Sequence, residues 1–215
     1  MGYHSFTSVS AIPPIVPYPP SSTRSLTVTT LQTLVAPSNY PSPGSNLPFN
    51  YSGCAMELSK EFEFPHLILP VDRANPEIAF GSSYITHFSP DVSTLFTFDI
   101  PPTFSGKSCS LEFHLPSTEQ VNPANLALSG SGGIKVSQLT YPATESMAYN
   151  NIPAVDHEVG RIDLVPGHVY QIASFPCNPS SRVGYRVDAT GTLDLEYFHH
   201  CGHGHLALGL YITES

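Results

Sequence analysis

The stretch Ser108-Cys109-Ser110-Leu111-Glu112-Phe113-His114-Leu115 alternates without a break. Cys109, Leu111, Phe113 and Leu115 are apolar and sit two apart, while Ser108, Ser110, Glu112 and His114 are polar and fall between them. Successive side chains of an extended chain point to opposite sides. The pattern therefore predicts a strand with one buried face and one wet face, and it places a cysteine in line with the core side chains. Gly106-Lys107 before the stretch and Pro116-Ser117 after it supply turn chemistry.

Working outward, the same signal recurs at short intervals. Leu95 to Ile100 reads as a strand closed by Pro101-Pro102, and Pro70 to Ser83 as an irregular connection. Phe62, Phe64 and Leu67-Ile68-Leu69 read as one strand with Pro65 inside it, which suggests an edge or a bulge. Gly130-Ser131-Gly132-Gly133 is a turn before a strand over Ile134 to Leu139; no Lys-Ser/Thr and no helical pattern follows, so it is not a phosphate loop. Residues 140 to 157 read as loop. Arg161 to Val165, Pro166-Gly167 and His168 to Phe175 have the form of a β-hairpin. Val183 to Val187 and Leu193 to Tyr197 alternate, and Leu206 to Ile212 is nearly all apolar, as a central strand should be. Eight or more short strands, with turns between and no amphipathic helix of three turns, predict an all-β fold: a single antiparallel β-sandwich.

Composition bounds the rest. The chain has 215 residues, enough for one domain and a tail, and only 12 % are charged. Residues 1 to 50 hold no Asp, Glu or Lys but nine prolines and fifteen Ser/Thr. Such a segment buries too little to offset its ordering entropy, so residues 1–52 read as a Pro/Ser/Thr-rich tail or glycosylated stalk and 53–215 as the sandwich domain. Leu26 to Val35 is the exception, a possible strand or sticky patch. A charge of −9 with eight Lys+Arg argues against nucleic acid or an anionic membrane face as partner. No apolar run is long enough for a membrane-spanning helix. No signal peptide is visible at the first residues, which suits either a cytosolic chain or a mature or incomplete form of a secreted one.

Cys54, Cys109, Cys177 and Cys201 form no CxxC pair, so a zinc ribbon or thioredoxin-type site has no support. Four cysteines allow two disulfides in three connectivities, and spacing does not choose among them. Asn50-Tyr51-Ser52 is the one N-glycosylation sequon, since Pro179 excludes Asn178.

An ordered set of short blocks resembles a known family. They are His66-Leu67-Ile68-Leu69-Pro70-Val71-Asp72, Pro76-Glu77-Ile78-Ala79-Phe80-Gly81 with Tyr84, Ser93 to Pro101, Gly106 to Leu111, Gly130-Ser131-Gly132, Pro142-Ala143-Thr144, Tyr149-Asn150-Asn151 and Gly209-Leu210-Tyr211-Ile212. Together, over about residues 60 to 213, they resemble the C-terminal domain of the fungal But-two family, whose label is ubiquitin-three-binding protein. The resemblance implies a filamentous-fungal protein, secreted or associated with the cell wall. The label implies a different setting, inside the cell, with the neddylation-activating enzyme as partner. No catalytic residues come with it. Cys109 and Cys177 match the two usual cysteines of the family, which leaves Cys54 with Cys201. If the strands carrying Cys109 and Cys177 face each other across the sandwich, their bridge pins the two sheets.

His199, His200, His203 and His205 lie within seven residues around Gly202 and Gly204, a departure from the family pattern. On an extended chain His203 and His205 share a face, and imidazole suits copper or zinc. His114, Asp194 or Glu196 are the candidates to complete such a site. The plainer reading is a solvated loop that titrates near neutral pH. No Gly-x-Ser-x-Gly elbow is present. Glu61/Glu63 and Asp194/Glu196 are paired acids at spacing two, which the wet face of a sheet explains. With no tryptophan, a sugar platform rests on tyrosines such as Tyr141, Tyr149, Tyr185 and Tyr197, which are more often core. The sequence thus reads as a non-catalytic module that binds a wall component or another protein through its loops. The alternatives are an intracellular regulator of the neddylation-activating enzyme and a secreted metal-binding protein.

Overall fold

The computed structural model describes residues 61–122, 124–202 and 205–214, and of residues 200–202 and 205 the backbone alone. The 1–52 segment with its Leu26 to Val35 patch, the domain boundary at 53, Asn50, Cys54 and His203 lie outside them. Among the described residues the chain forms thirteen strands and no α-helix. They are β1 (Phe62–Glu63), β2 (Leu67–Asp72), β3 (Ile85–Phe88), β4 (Val92–Asp99), β5 (Ser108–Leu115), β6 (Leu126–Ser129), β7 (Gly133–Leu139), β8 (Val155–Asp163), β9 (His168–Pro176), β10 (Arg182–Ala189), β11 (Asp194–Phe198), β12 (His200–Gly202) and β13 (His205–Glu214). The first sheet runs β1-β13-β5-β9, with β12 also on β13; the second runs β2-β4-β10-β7-β8; a third, smaller one runs β3-β11-β6. Every pairing is antiparallel.

Period-two alternation builds the core. Leu111 and Phe113 of β5 and Leu208, Leu210 and Ile212 of β13 share one buried apolar cluster with Phe96 and Phe98 of β4, Val136 of β7, and Tyr185 and Val187 of β10. The third sheet enters the same cluster through Phe88 and Tyr197. Phe88 lies 6.2 Å from both Phe96 and Phe113, and Tyr197 lies 6.0 Å from Phe113, centroid to centroid. These separations fall in the range where tilted and edge-to-face aromatic pairs add to area burial.

The polar face of β5 is wet only in part: Ser108 is exposed and Glu112 half-buried. Ser110 is 2 % exposed and His114 4 %. β5 is flanked on both sides, by β13 and β9, and its polar atoms are satisfied locally. Gln171 Nε2 donates to Ser110 Oγ at 3.1 Å, Thr213 Oγ1 donates to Glu112 at 3.0 Å, and His114 Nε2 lies 3.1 Å from the other Glu112 oxygen. Alternation reports that two faces differ in polarity; whether the polar face meets water depends on what covers it.

The proposed hairpin is absent as well. β8 pairs with β7 in the second sheet and β9 with β5 in the first, so Pro166-Gly167 lies on a crossing between layers. Where these two edges meet, a Cβ on Gly160 would lie 2.9 Å from Ile172 Cγ2, so glycine allows the approach. Phe62 to Leu69 is likewise two strands: β1 joins β13 and β2 joins β4, with Pro65 between them.

Asp99 of β4 ties that junction. It accepts from Arg182 Nε at 2.5 Å and Nη2 at 3.1 Å, and His66 Nδ1 lies 2.7 Å away. Arg182 foremost holds the Asp99 carboxyl below the usual range. Burial, with Asp99 as a second cause, pushes Glu63 up to about 7.

Cys109 and Cys177 are bonded to each other, with Cα atoms 5.1 Å apart. Cys109 is in register with Phe175, and Cys177 directly follows β9. The bridge therefore joins neighbouring strands of one sheet and does not fasten layer to layer.

His199 is 1 % exposed. Its ring lies on the backbone of Gly209, at φ +126°, where an added Cβ would come within 2.4 Å of it. Phe64 meets the ring edge-on at 4.5 Å, and Tyr211 lies tilted against it at 5.1 Å.

Three outcomes follow for stability. Cys109→Ala/Cys177→Ala opens a loop with a sequence separation of 68 and should cost about 4 kcal/mol by the chain-entropy relation; a urea midpoint equal to that of the unaltered chain would contradict this. Glu63 takes up a proton on folding between its ordinary value and about 7, so its contribution falls as pH rises through that window and is level above it. Urea midpoints at about pH 5 and about pH 8 should therefore differ less in Glu63→Gln than in the unaltered chain. Gly209→Ala should lose more than about 1 kcal/mol, and His199→Ala in the same chain should restore part of it, read by thermal midpoint.

Candidate functional site

Between β2 and β3 the chain makes an excursion that begins at a closed turn. Asp72 accepts from Ala74 N at 2.8 Å and from Asn75 Nδ2 at 2.6 Å. The Asn75 side chain first, then the Ala74 amide, holds this carboxyl below its ordinary value. Asn150 N donates to Pro76 O at 3.0 Å, Ser82 Oγ to Glu145 at 3.2 Å, and Ser83 N to Ile68 O at 2.9 Å. The excursion is thereby tethered at both ends.

Beside the exposed Arg73, Asn75, Glu77 and Ser82 it presents large apolar side chains. Ile78, Phe80, Tyr84 and Ile85 are 50 %, 53 %, 62 % and 49 % exposed. Tyr84 is buttressed by Phe64, 6.3 Å away, and Phe198, 6.1 Å away. Single exposed apolar side chains are normal on a surface, whereas a contiguous apolar patch marks a place where another surface docks. The sequence signal was a pair of apolar residues, Ile78 and Phe80, inside a Pro/Gly/Ser-rich connection with no strand or helix period to bury them.

The residues singled out from sequence are scattered. Of the histidine run, His199 is a packed core residue, not part of a solvated loop: its Nε2 lies 3.0 Å from both Leu210 N and Leu210 O. His200 and His205 are placed only by backbone, on β12 and β13. Among the described residues no group of three His, Cys, Asp or Glu is arranged to hold a metal. Of the supporting ligands, His114 is engaged with Glu112, and Asp194 lies 2.9 Å from His87 Nε2. The Cys201 side chain, like Cys54, lies outside the description.

Glu61 and Glu214 flank Lys107, and Glu63 turns toward His66. No opposed pair of carboxylates forms from these acids. Tyr185 and Tyr197 are buried in the core, and burial raises both phenols. Tyr141 is exposed and Tyr149 half-buried, so the four tyrosines make no common platform.

A family model described as ubiquitin 3 binding protein But2 C-terminal domain matches residues 63–202. A search of curated proteins finds no match. The family match takes in the apolar excursion, both bonded cysteines and every strand from β2 to β12. This chain belongs to the But2 C-terminal domain family.

Proposed function

We propose that the chain is a non-catalytic binding module whose protein partner docks on the excursion from Ile78 to Ile85. One observation carries the reading: four large apolar side chains stand half-exposed on a segment tied to the rest of the fold at Pro76, Ser82 and Ser83. Covering a half-exposed side chain of this size is worth roughly 1 kcal/mol. Little ordering entropy opposes docking, because the segment is already tethered. The family description, which names a binding protein, supports the same class of function.

The setting we propose is the fungal surface: a secreted or wall-associated protein, with glycosylation at Asn50 and a second bridge from Cys54 to Cys201. The bond between Cys109 and Cys177 supports an oxidising compartment. The intracellular reading, with the neddylation-activating enzyme as partner, draws on the family label and places the same surface in a reducing compartment. Copper or zinc on the histidine run is a third role, and it rests on the sequence of His200, His203 and His205 alone.

Capture on the immobilised chain, beside an Ile78→Ser/Phe80→Ser variant of equal thermal midpoint, tests the docking surface. The probes are purified neddylation-activating enzyme in one arm and fungal wall protein in the other. A partner held by the unaltered chain should fall at least about tenfold on the variant, the loss of about 1.4 kcal/mol. Equal retention on both overturns the surface. Recovery of the tagged chain from cytosol alone, with its thiols reduced, overturns the secreted setting.

A further inference from the structure

The outer side of the second sheet carries a hollow of about 200 Å³. Its wall follows from period-two geometry. Arg186 and Asp188 are two apart on β10 and share a side; Lys135 of β7 is in register with Asp188; Ser93 of β4 reaches the same carboxylate. Ser93 Oγ donates to Asp188 Oδ1 at 2.6 Å, Arg186 Nε donates to the same oxygen at 2.7 Å, and Lys135 Nζ lies 3.2 Å from Oδ2. The Arg186 guanidinium sits 5.3 Å from the centre of the Tyr149 ring. Arg73 stands at the rim, 2.7 Å from Asp91.

Three of the eight basic side chains in a chain of charge −9 thus meet at one small depression, against two carboxylates. Burial by itself would raise Asp188, but Ser93, Arg186 and Lys135 outweigh it and keep the carboxyl below its usual range. The anion that positions Arg186 and Lys135 is therefore always charged at neutral pH. Yet it does not saturate them. Guanidinium has five N–H donors and ammonium three. The Nη2 contacts of Arg186 are long, 3.3 Å to Ser93 and 3.5 Å to Tyr149. Among the described residues its Nη1 donates to none, and Asp188 is the one carboxylate paired with Lys135. Among the described residues no donor of Arg186 or Lys135 is both buried and unpaired, so the donors that Asp188 leaves over are open to water at the hollow, where an oxyanion can take water's place.

We propose that this hollow binds a single oxyanion group, a phosphate or a carboxylate, held by Arg186 and Lys135 with Arg73 closing from the rim. Planar guanidinium beside a point ammonium charge is the donor set that recognises such groups. The volume is below that of pockets for drug-sized molecules, so it takes one anionic group, free or at the end of a larger molecule. Arg73 belongs to the turn that opens the excursion, but none of Ile78, Phe80, Tyr84 and Ile85 lines the hollow, so the site does not depend on the role proposed for them.

Amide chemical shifts of the full chain, titrated with inorganic phosphate in one arm and acetate in the other, test it against sodium chloride at matched ionic strength. At least one oxyanion should move the amides of Lys135, Arg186 and Asp188 saturably, and the arm that responds assigns phosphate or carboxylate. Lys135→Gln should weaken that binding about tenfold. Its side chain is one-third exposed, so the sheet should survive the change, and an unaltered thermal midpoint checks this. Arg186→Lys keeps the charge but loses the fork, and should weaken binding by a similar factor. Shifts that chloride reproduces, or the same titration curve for the unaltered chain and Lys135→Gln, overturn the proposal.

Discussion

Phe88, Phe96, Phe113 and Tyr197 come together where all three sheets meet, and the rest of the molecule depends on that contact. Each ring belongs to a different strand, and each strand is only four to eight residues long. Short strands bury little by themselves, so the fold holds because several of them place one large ring each at a common centre. With the third sheet seated there, β3 is anchored at Phe88, and the excursion leading into it is carried on a fixed base.

The second sheet is covered on its outer side as well, but only in part. Leu67, Leu69, Val71, Leu95 and Leu139 pack there with Ala143, Met147, Tyr149 and Ile152 from the segment after β7. That cover stops at Tyr149, and beyond it the same side turns polar, with Arg186, Asp188, Lys135 and Ser93 in the open part. The excursion is tied to this covering segment through Asn150 and Glu145. The cation-bearing hollow thus begins where the apolar cover of the second sheet ends.

How far the residues announced these features varies in a regular way. Strands with unambiguous alternation, β4, β5, β7, β10 and β11, were legible from their side chains alone, because the period of two is a local property of an extended chain. β3, β6 and most of β8 were not. His87 and Ser129 interrupt the apolar pattern, and β8 is an exposed edge, so its side chains report little burial. Of the four histidines in the run, His199 turns inward onto Gly209, which no local pattern could indicate.

The sequence by itself determined the all-β class, the antiparallel character and the family, because alternation, turn residues and an ordered set of short blocks are written along one dimension. Only the tertiary structure decided which strand lies beside which. It separated β8 from β9, split Phe62 to Leu69 between two sheets, and put Cys109 and Cys177 in the same layer. It also decided which polar residues meet water: Ser110 and His114 are covered, whereas the apolar Ile78 and Phe80 are not. The physical reason is that burial belongs to the neighbours a residue acquires across the fold, and those neighbours come from distant parts of the chain.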